Sequence, residues 1–158
     1  MILLAHMIFG AAIGSVIKNI PLAITFAFLG HYFLDLLPHI EYLKSTEESA
    51  KKIKGGKSKE YLPDIIKVAI DFLLGIFLIF IFSKNFPIIY LCALIAIVPD
   101  GVTVINSLVS NKLLRIHQEF HGGWIHFLKH KKISIFWRIL TQAVVVVVSI
   151  ILLSRPVA

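Results

Sequence analysis

Thiols are nearly absent from this chain. A single cysteine, Cys92, occurs in 158 residues, which excludes an internal disulfide and a thiolate-rich zinc site. Its setting in an apolar run marks it as a small buried hydrophobe. Acids are also scarce, with nine Asp and Glu against sixteen Lys and Arg. Polar linkers are confined to residues 41–61, which include Lys-Gly-Gly-Lys at 54–57. No internal repeat is present, so the chain reads as one domain. The first apolar run has neither a basic leader nor a small-x-small cleavage site, and it reads as a retained helix rather than a signal peptide.

Apolar residues dominate: 58% of the chain is hydrophobic and mean hydropathy is +0.87. A soluble domain carries ~45–50% apolar residues. The excess falls in runs at 2–17, 21–39, 62–83, 86–109 and 133–154, each long enough or nearly so to span a bilayer as a helix. The expected fold is therefore all-α, an integral membrane bundle of about five transmembrane helices. Residues 111–130 mix Leu113, Ile116, Phe120 and Trp124 with Lys, Arg and His. That pattern predicts a cytoplasmic amphipathic interfacial helix, broken near Gly122-Gly123 and suited to act as a lid.

The formal charge of +7 would suit nucleic acid, but its distribution argues otherwise. Lys44, Lys51, Lys52, Lys54, Lys57 and Lys59 lie between the second and third runs, and Lys112, Arg115, Lys129, Lys131 and Lys132 between the fourth and fifth. With five spans both basic loops fall on one face. The positive-inside rule makes that face cytoplasmic, with the N-terminus inside and the C-terminus outside a plasma (inner) membrane. The expected partner is membrane lipid, not nucleic acid.

Within the spans, ionisable groups are clustered. His31, Asp35 and His39 are spaced i, i+4, i+8 on one predicted helix face. His117 and His121 repeat the i, i+4 spacing, followed by His126. Placed at ~1.5 Å per residue, His6, His31, Asp35, His39, Asp71 and Asp100 all fall in the cytoplasmic half. Pro99-Asp100-Gly101 is poor helix and marks a kink that aims the carboxylate inward. Intramembrane acids and imidazoles are costly and point to function. Imidazole and carboxylate without thiolate suit a divalent metal: Zn, with Mn or Fe as alternatives, as one or two ions. Candidate ligands are His6, His31, Asp35, His39, Asp71, Asp100, His117, His121 and His126. Asp71, Asp100 and His121 are the candidates for catalysis, and in a dinuclear site Asp71 or Asp100 would bridge. Plainer readings stand beside these. His6 suits a helix–helix hydrogen bond, Asp71 and Asp100 a pairing with Lys67 or a proton relay, and His117, His121 and His126 a headgroup contact. His130, in Lys-His-Lys-Lys, suits a solvated neighbour of like charges.

Early His6, the block Gly30-His31-Tyr-Phe-Leu-Asp35-Leu-Leu-Pro38-His39, Asp71, Val-Pro99-Asp100 and the late Phe120-His121…His126 block span most of the chain. The pattern resembles a family of small multi-pass prokaryotic membrane proteins regarded as metal-dependent hydrolases, loosely similar to zinc-dependent phospholipases C. The chain departs from that family's Pro-Asp-x-Asp-His element. Pro99-Asp100-Gly lacks the following acid and His, and Pro38-His39 lacks the Asp. The resemblance implies hydrolysis of a phosphoester or lipid-like substrate. Three other functions use the same residues or none of them. They are transport of a divalent metal or protons, haem binding by paired histidines, and a purely structural membrane role.

Overall fold

The computed structural model describes residues 2–40, 62–109, 111–125 and 133–155. The expected polar loop 41–61 and the candidate ligand His126 lie outside the described residues. All regular structure among those described is helical. In chain order the elements are α1 (Leu3–Val16), α2 (Ile20–Asp35), α3 (Leu62–Phe82), α4 (Pro87–Ile95), α5 (Val98–Leu108), α6 (Lys112–Glu119), a π-helical turn (Phe120–Ile125) and α7 (Ile135–Leu153).

Two expected spans differ in form. The run at 86–109 is two helices, α4 and α5, bent by 41° at a break. Pro99 lacks the N–H that would continue the ladder, so the helix restarts around it. The run at 21–39 ends as a helix at Asp35. Pro38 disfavours helical backbone at the residue before it, and residues 36–40 leave the helix axis.

By length and composition, Ile135–Leu153 is able to cross a membrane, and the bent pair adds a second span if counted as one. α1 and α2 are apolar but shorter. Helix α1 is central, packing against α2, α3, α4 and α7. Its small residues allow this. A Cβ on Gly10 would lie 2.5 Å from the Cys92 carbonyl oxygen, and one on Gly14 would lie 2.9 Å from that of Ile88. This is small-xxx-small packing, in which the missing side chains let two backbones approach. Ala5, Ala11, Ala12, Ala23, Ala27, Ala93 and Ala96 are buried around it. Large apolar groups face outward instead: Phe33 on α2, Leu73 and Phe80 on α3, and Ile135 and Phe136 on α7 are each at least 60% exposed.

The N-terminus of α1 begins at Ile2, which has no side chain able to cap it. Asp71, reaching across from α3, accepts the Leu4 N–H at 2.9 Å through Oδ2. This carboxylate therefore satisfies one of the orphan donors of the first turn and complements the helix dipole. The expected amphipathic segment is present over residues 112–125. Asn111 caps α6 by accepting the Leu113 N–H at 3.1 Å. Leu113, Ile116, Phe120 and Trp124 form an exposed apolar stripe. The expected break at Gly122-Gly123 takes the form of the π-helical turn, which packs against α2.

A candidate metal centre around Asp35

Four elements converge on the Asp35 carboxylate. His31 precedes it by one turn of α2, and its Nε2 lies 3.1 Å from Asp35 Oδ2. His121 enters from the π-helical turn, with Nε2 also 3.1 Å from Oδ2. The two imidazole Nε2 atoms are 3.0 Å apart. Asp100, in the first turn of α5, brings Oδ1 to 3.7 Å from His31 Nε2. One ligand atom from each of His31, Asp35, Asp100 and His121 lies within 4.8 Å of every other. The first three contacts form a nearly equilateral triangle. A tetrahedral zinc site with bonds of 2.0–2.1 Å has ligand–ligand edges of ~3.3 Å, so the group could hold a metal ion with small side-chain shifts.

The outer contacts of both imidazoles fix which nitrogen faces inward. His31 Nδ1 lies 2.7 Å from the Ala96 carbonyl oxygen, which can only accept. His31 therefore carries its proton on Nδ1 when neutral, and Nε2 offers a lone pair. The α4–α5 break supplies that carbonyl. Thr103 Oγ1 donates to the Pro99 carbonyl at 3.2 Å and lies 3.3 Å from His121 Nδ1. In the tautomer whose Nδ1–H is accepted by this hydroxyl, His121 would present the Nε2 lone pair to Asp35 Oδ2. Two lone pairs and a carboxylate oxygen then meet in a buried space. In that tautomer a cation or an added proton would relieve the opposition of acceptors, which is costly when desolvated. Backbone and hydroxyl groups that orient ligating histidines in this way are the usual outer partners of a metal site.

On the other side of the carboxylate, His6 Nε2 lies 3.1 Å from Asp35 Oδ1, and the His6 ring stacks on His31 with centroids 4.1 Å apart. His39, beyond the end of α2, has Nε2 at 3.9 Å from Oδ1. The i, i+8 helical spacing expected for His39 is thus replaced by an irregular return toward Asp35. Helix α7 holds that return. Thr141 Oγ1 donates to the Pro38 carbonyl, Arg138 Nη1 to that of His39 at 3.1 Å, and Gln142 Nε2 to that of Ile40 at 2.9 Å. Thr141 and Gln142, in the N-terminal half of α7, therefore stand at the histidine end of the bundle.

Burial is uneven. His6, His31 and Asp35 are fully buried, whereas the Asp100 side chain is 34% exposed. Asp100 therefore marks the opening. His117 lies one ring outward, 5.5 Å from His121 between centroids, with Nε2 3.2 Å from the Tyr32 hydroxyl. Burial, and secondarily the neighbouring His121 and His31, lower the His117 pKa below its ordinary value, so the ring is neutral at pH 7.

Of the residues expected to act together, His6, His31, Asp35, His39, Asp100 and His121 do meet. Asp71 is not brought into this group; its Oδ2 instead accepts the Leu4 N–H at the start of α1. The acid lying between the two groups of imidazoles is Asp35, rather than Asp71 or Asp100. Thr103, the Ala96 carbonyl, Tyr32 and Arg138 were not legible as site residues. Only Thr103, one turn after Pro99-Asp100, had a spacing that signalled it. No family model, no curated protein and no solved structure matches this chain.

Proposed function

We propose that this chain is a membrane-embedded, metal-dependent hydrolase acting on a phosphoester or lipid-like substrate at the cytoplasmic leaflet. The observation that carries the reading is the meeting of His31 Nε2, His121 Nε2 and Asp35 Oδ2 at 3.0–3.1 Å, with partly open Asp100 beside them. A divalent metal in this group, zinc by ligand type, would lower the pKa of bound water and polarise a phosphoryl oxygen. Neutral His117, hydrogen-bonded to Tyr32, is placed to exchange a proton at the opening as general base or acid.

The membrane reading rests on the many large apolar side chains the helices turn outward, among them Phe33, Leu73, Phe80, Ile135 and Phe136, although Met7, Ile8, Leu34, Ile79 and Ile89 are buried within. Soluble monomers seldom expose broad contiguous apolar surface. Helices α1, α2, α3, the bent α4–α5 pair and α7 form five spans. The basic stretches 41–61 and 111–132 put the histidine end at the cytoplasmic face of the plasma membrane. The stripe of Leu113, Ile116, Phe120 and Trp124 lies along the headgroup layer. Transport would need a polar route through the bundle. Among the described residues, Ser149 on α7 is the buried polar group farthest along the chain from the Asp35 end of that helix, and one hydroxyl makes no route.

The test uses full-length protein purified in mild detergent. Elemental analysis is expected to find at least one zinc, manganese or iron per chain. A short-chain phospholipid or a chromogenic phosphodiester should be hydrolysed in a metal-dependent manner, and His121→Ala should abolish this. Zinc or proton flux in proteoliposomes without hydrolysis would replace the reading with transport.

A further inference from the structure

The Asp35 carboxylate is shared between two sets of imidazoles, each approaching a different oxygen. His31 and His121 address Oδ2 at 3.1 Å each. His6 and His39 address Oδ1 at 3.1 and 3.9 Å. The stacking of His6 on His31, with 24° between the ring planes, sets their Nε2 atoms side by side on different oxygens. His6 is fully buried; its Nε2 faces Asp35 Oδ1, and its Nδ1 has no hydrogen-bond partner. A buried imidazole held against a shared carboxylate with one ring nitrogen unpartnered is costly in an apolar bundle. His39 has its Nδ1 2.7 Å from the Leu37 carbonyl oxygen, so its proton belongs on Nδ1 and its Nε2 lone pair turns toward Oδ1. This is the same device that orients His31 through Ala96.

We propose that Asp35 bridges two metal positions. The first is held by Oδ2 with His31, His121 and Asp100. The second is held by Oδ1 with His6 and His39. The distances of 3.1 and 3.9 Å bracket the ~3.3 Å edge of a tetrahedral zinc site. A carboxylate bridge holds two ions at roughly 3.5–4 Å, the separation at which paired metals act together on one phosphoryl group. Two divalent ions bring four positive charges against two carboxylates, Asp35 and Asp100. The surplus favours a bridging hydroxide and an anionic substrate, so the inference deepens the hydrolase reading and rests on its first metal position. The irregular segment 36–40 then has a purpose. It carries His39 back to Oδ1, and Arg138, Thr141 and Gln142 of α7 hold it there.

The deciding measurement is metal stoichiometry on full-length protein, loaded with zinc and passed over chelating resin. Two equivalents are expected, falling to one in the His6→Gln/His39→Gln double variant. One equivalent in the unaltered protein would overturn the second position and leave the first standing. None would overturn both. Two equivalents persisting in the double variant would also overturn the proposal. A measurement that needs no variant uses manganese, whose electron paramagnetic resonance reports spin coupling. A coupled signal is expected at saturation, and an isolated-ion spectrum would contradict the bridge.

Discussion

Two kinds of interior meet within one helix. At Gly10 and Gly14, α1 lies so close to α4 that an added Cβ would fall 2.5 Å and 2.9 Å from main-chain oxygens. One turn earlier, His6 leaves the same helix and reaches the Asp35 carboxylate of α2. The first region is held by backbone proximity and dispersion, which need no polar atoms and tolerate no extra volume. The second is held by groups that are stable in an apolar interior only in one another's company. The close-packed end fixes the spacing of the helices, and the polar end uses that spacing to bring its donors onto one carboxylate. Stability and metal affinity should therefore respond to different residues, and four substitutions examine that separation.

The largest effect is expected from Asp35→Ala, which removes the shared oxygen ligands. Outer partners of metal sites alone contribute 10–100-fold in affinity, so loss of a central ligand should exceed ~100-fold, read by competition with a zinc chelator. Next comes Thr103→Val, which keeps the shape of the side chain but removes the acceptor at His121 Nδ1. A roughly 10–100-fold loss of affinity is expected, with Thr103→Ser restoring most of it. The opposite pattern is expected from Gly10→Ala. Overpacking against the Cys92 carbonyl should cost about 1–3 kcal/mol, lowering the thermal midpoint in detergent while folded protein keeps its metal. The smallest effect falls to Asp71→Ala. Losing a helix cap typically costs ~1 kcal/mol, and metal content should be unchanged. Metal loss in Asp71→Ala with the fold intact would break the distinction between the two regions.

The helical class and most helix positions were legible because apolar runs of span length leave few alternatives. The clustering of His31, Asp35, Asp100 and His121 was legible because buried acids and imidazoles must find partners, and the candidates were few. Two features escaped for definite reasons. Asp71 looked like Asp35, an acid within an apolar run, because a sequence does not say that Ile2 would leave α1 uncapped and in need of an acceptor from α3. His39 looked helical because i+8 extends the stripe, although Pro38 opposes helix at the preceding residue. The form of its return depends on Arg138, Thr141 and Gln142, about a hundred residues away. The Gly10–Gly14 spacing was visible in the sequence, but only the approach of α4 shows which neighbour it serves.

The account turns on a cation lying among His31, Asp35, Asp100 and His121, and X-ray absorption at the zinc edge on the loaded, full-length protein tests it most directly. The expected first shell contains only nitrogen and oxygen at about 2.0–2.1 Å, with the outer-shell scattering of coordinated imidazole, and both are lost in Asp35→Ala. A sulfur shell near ~2.3 Å, or a spectrum unchanged by Asp35→Ala, would contradict it.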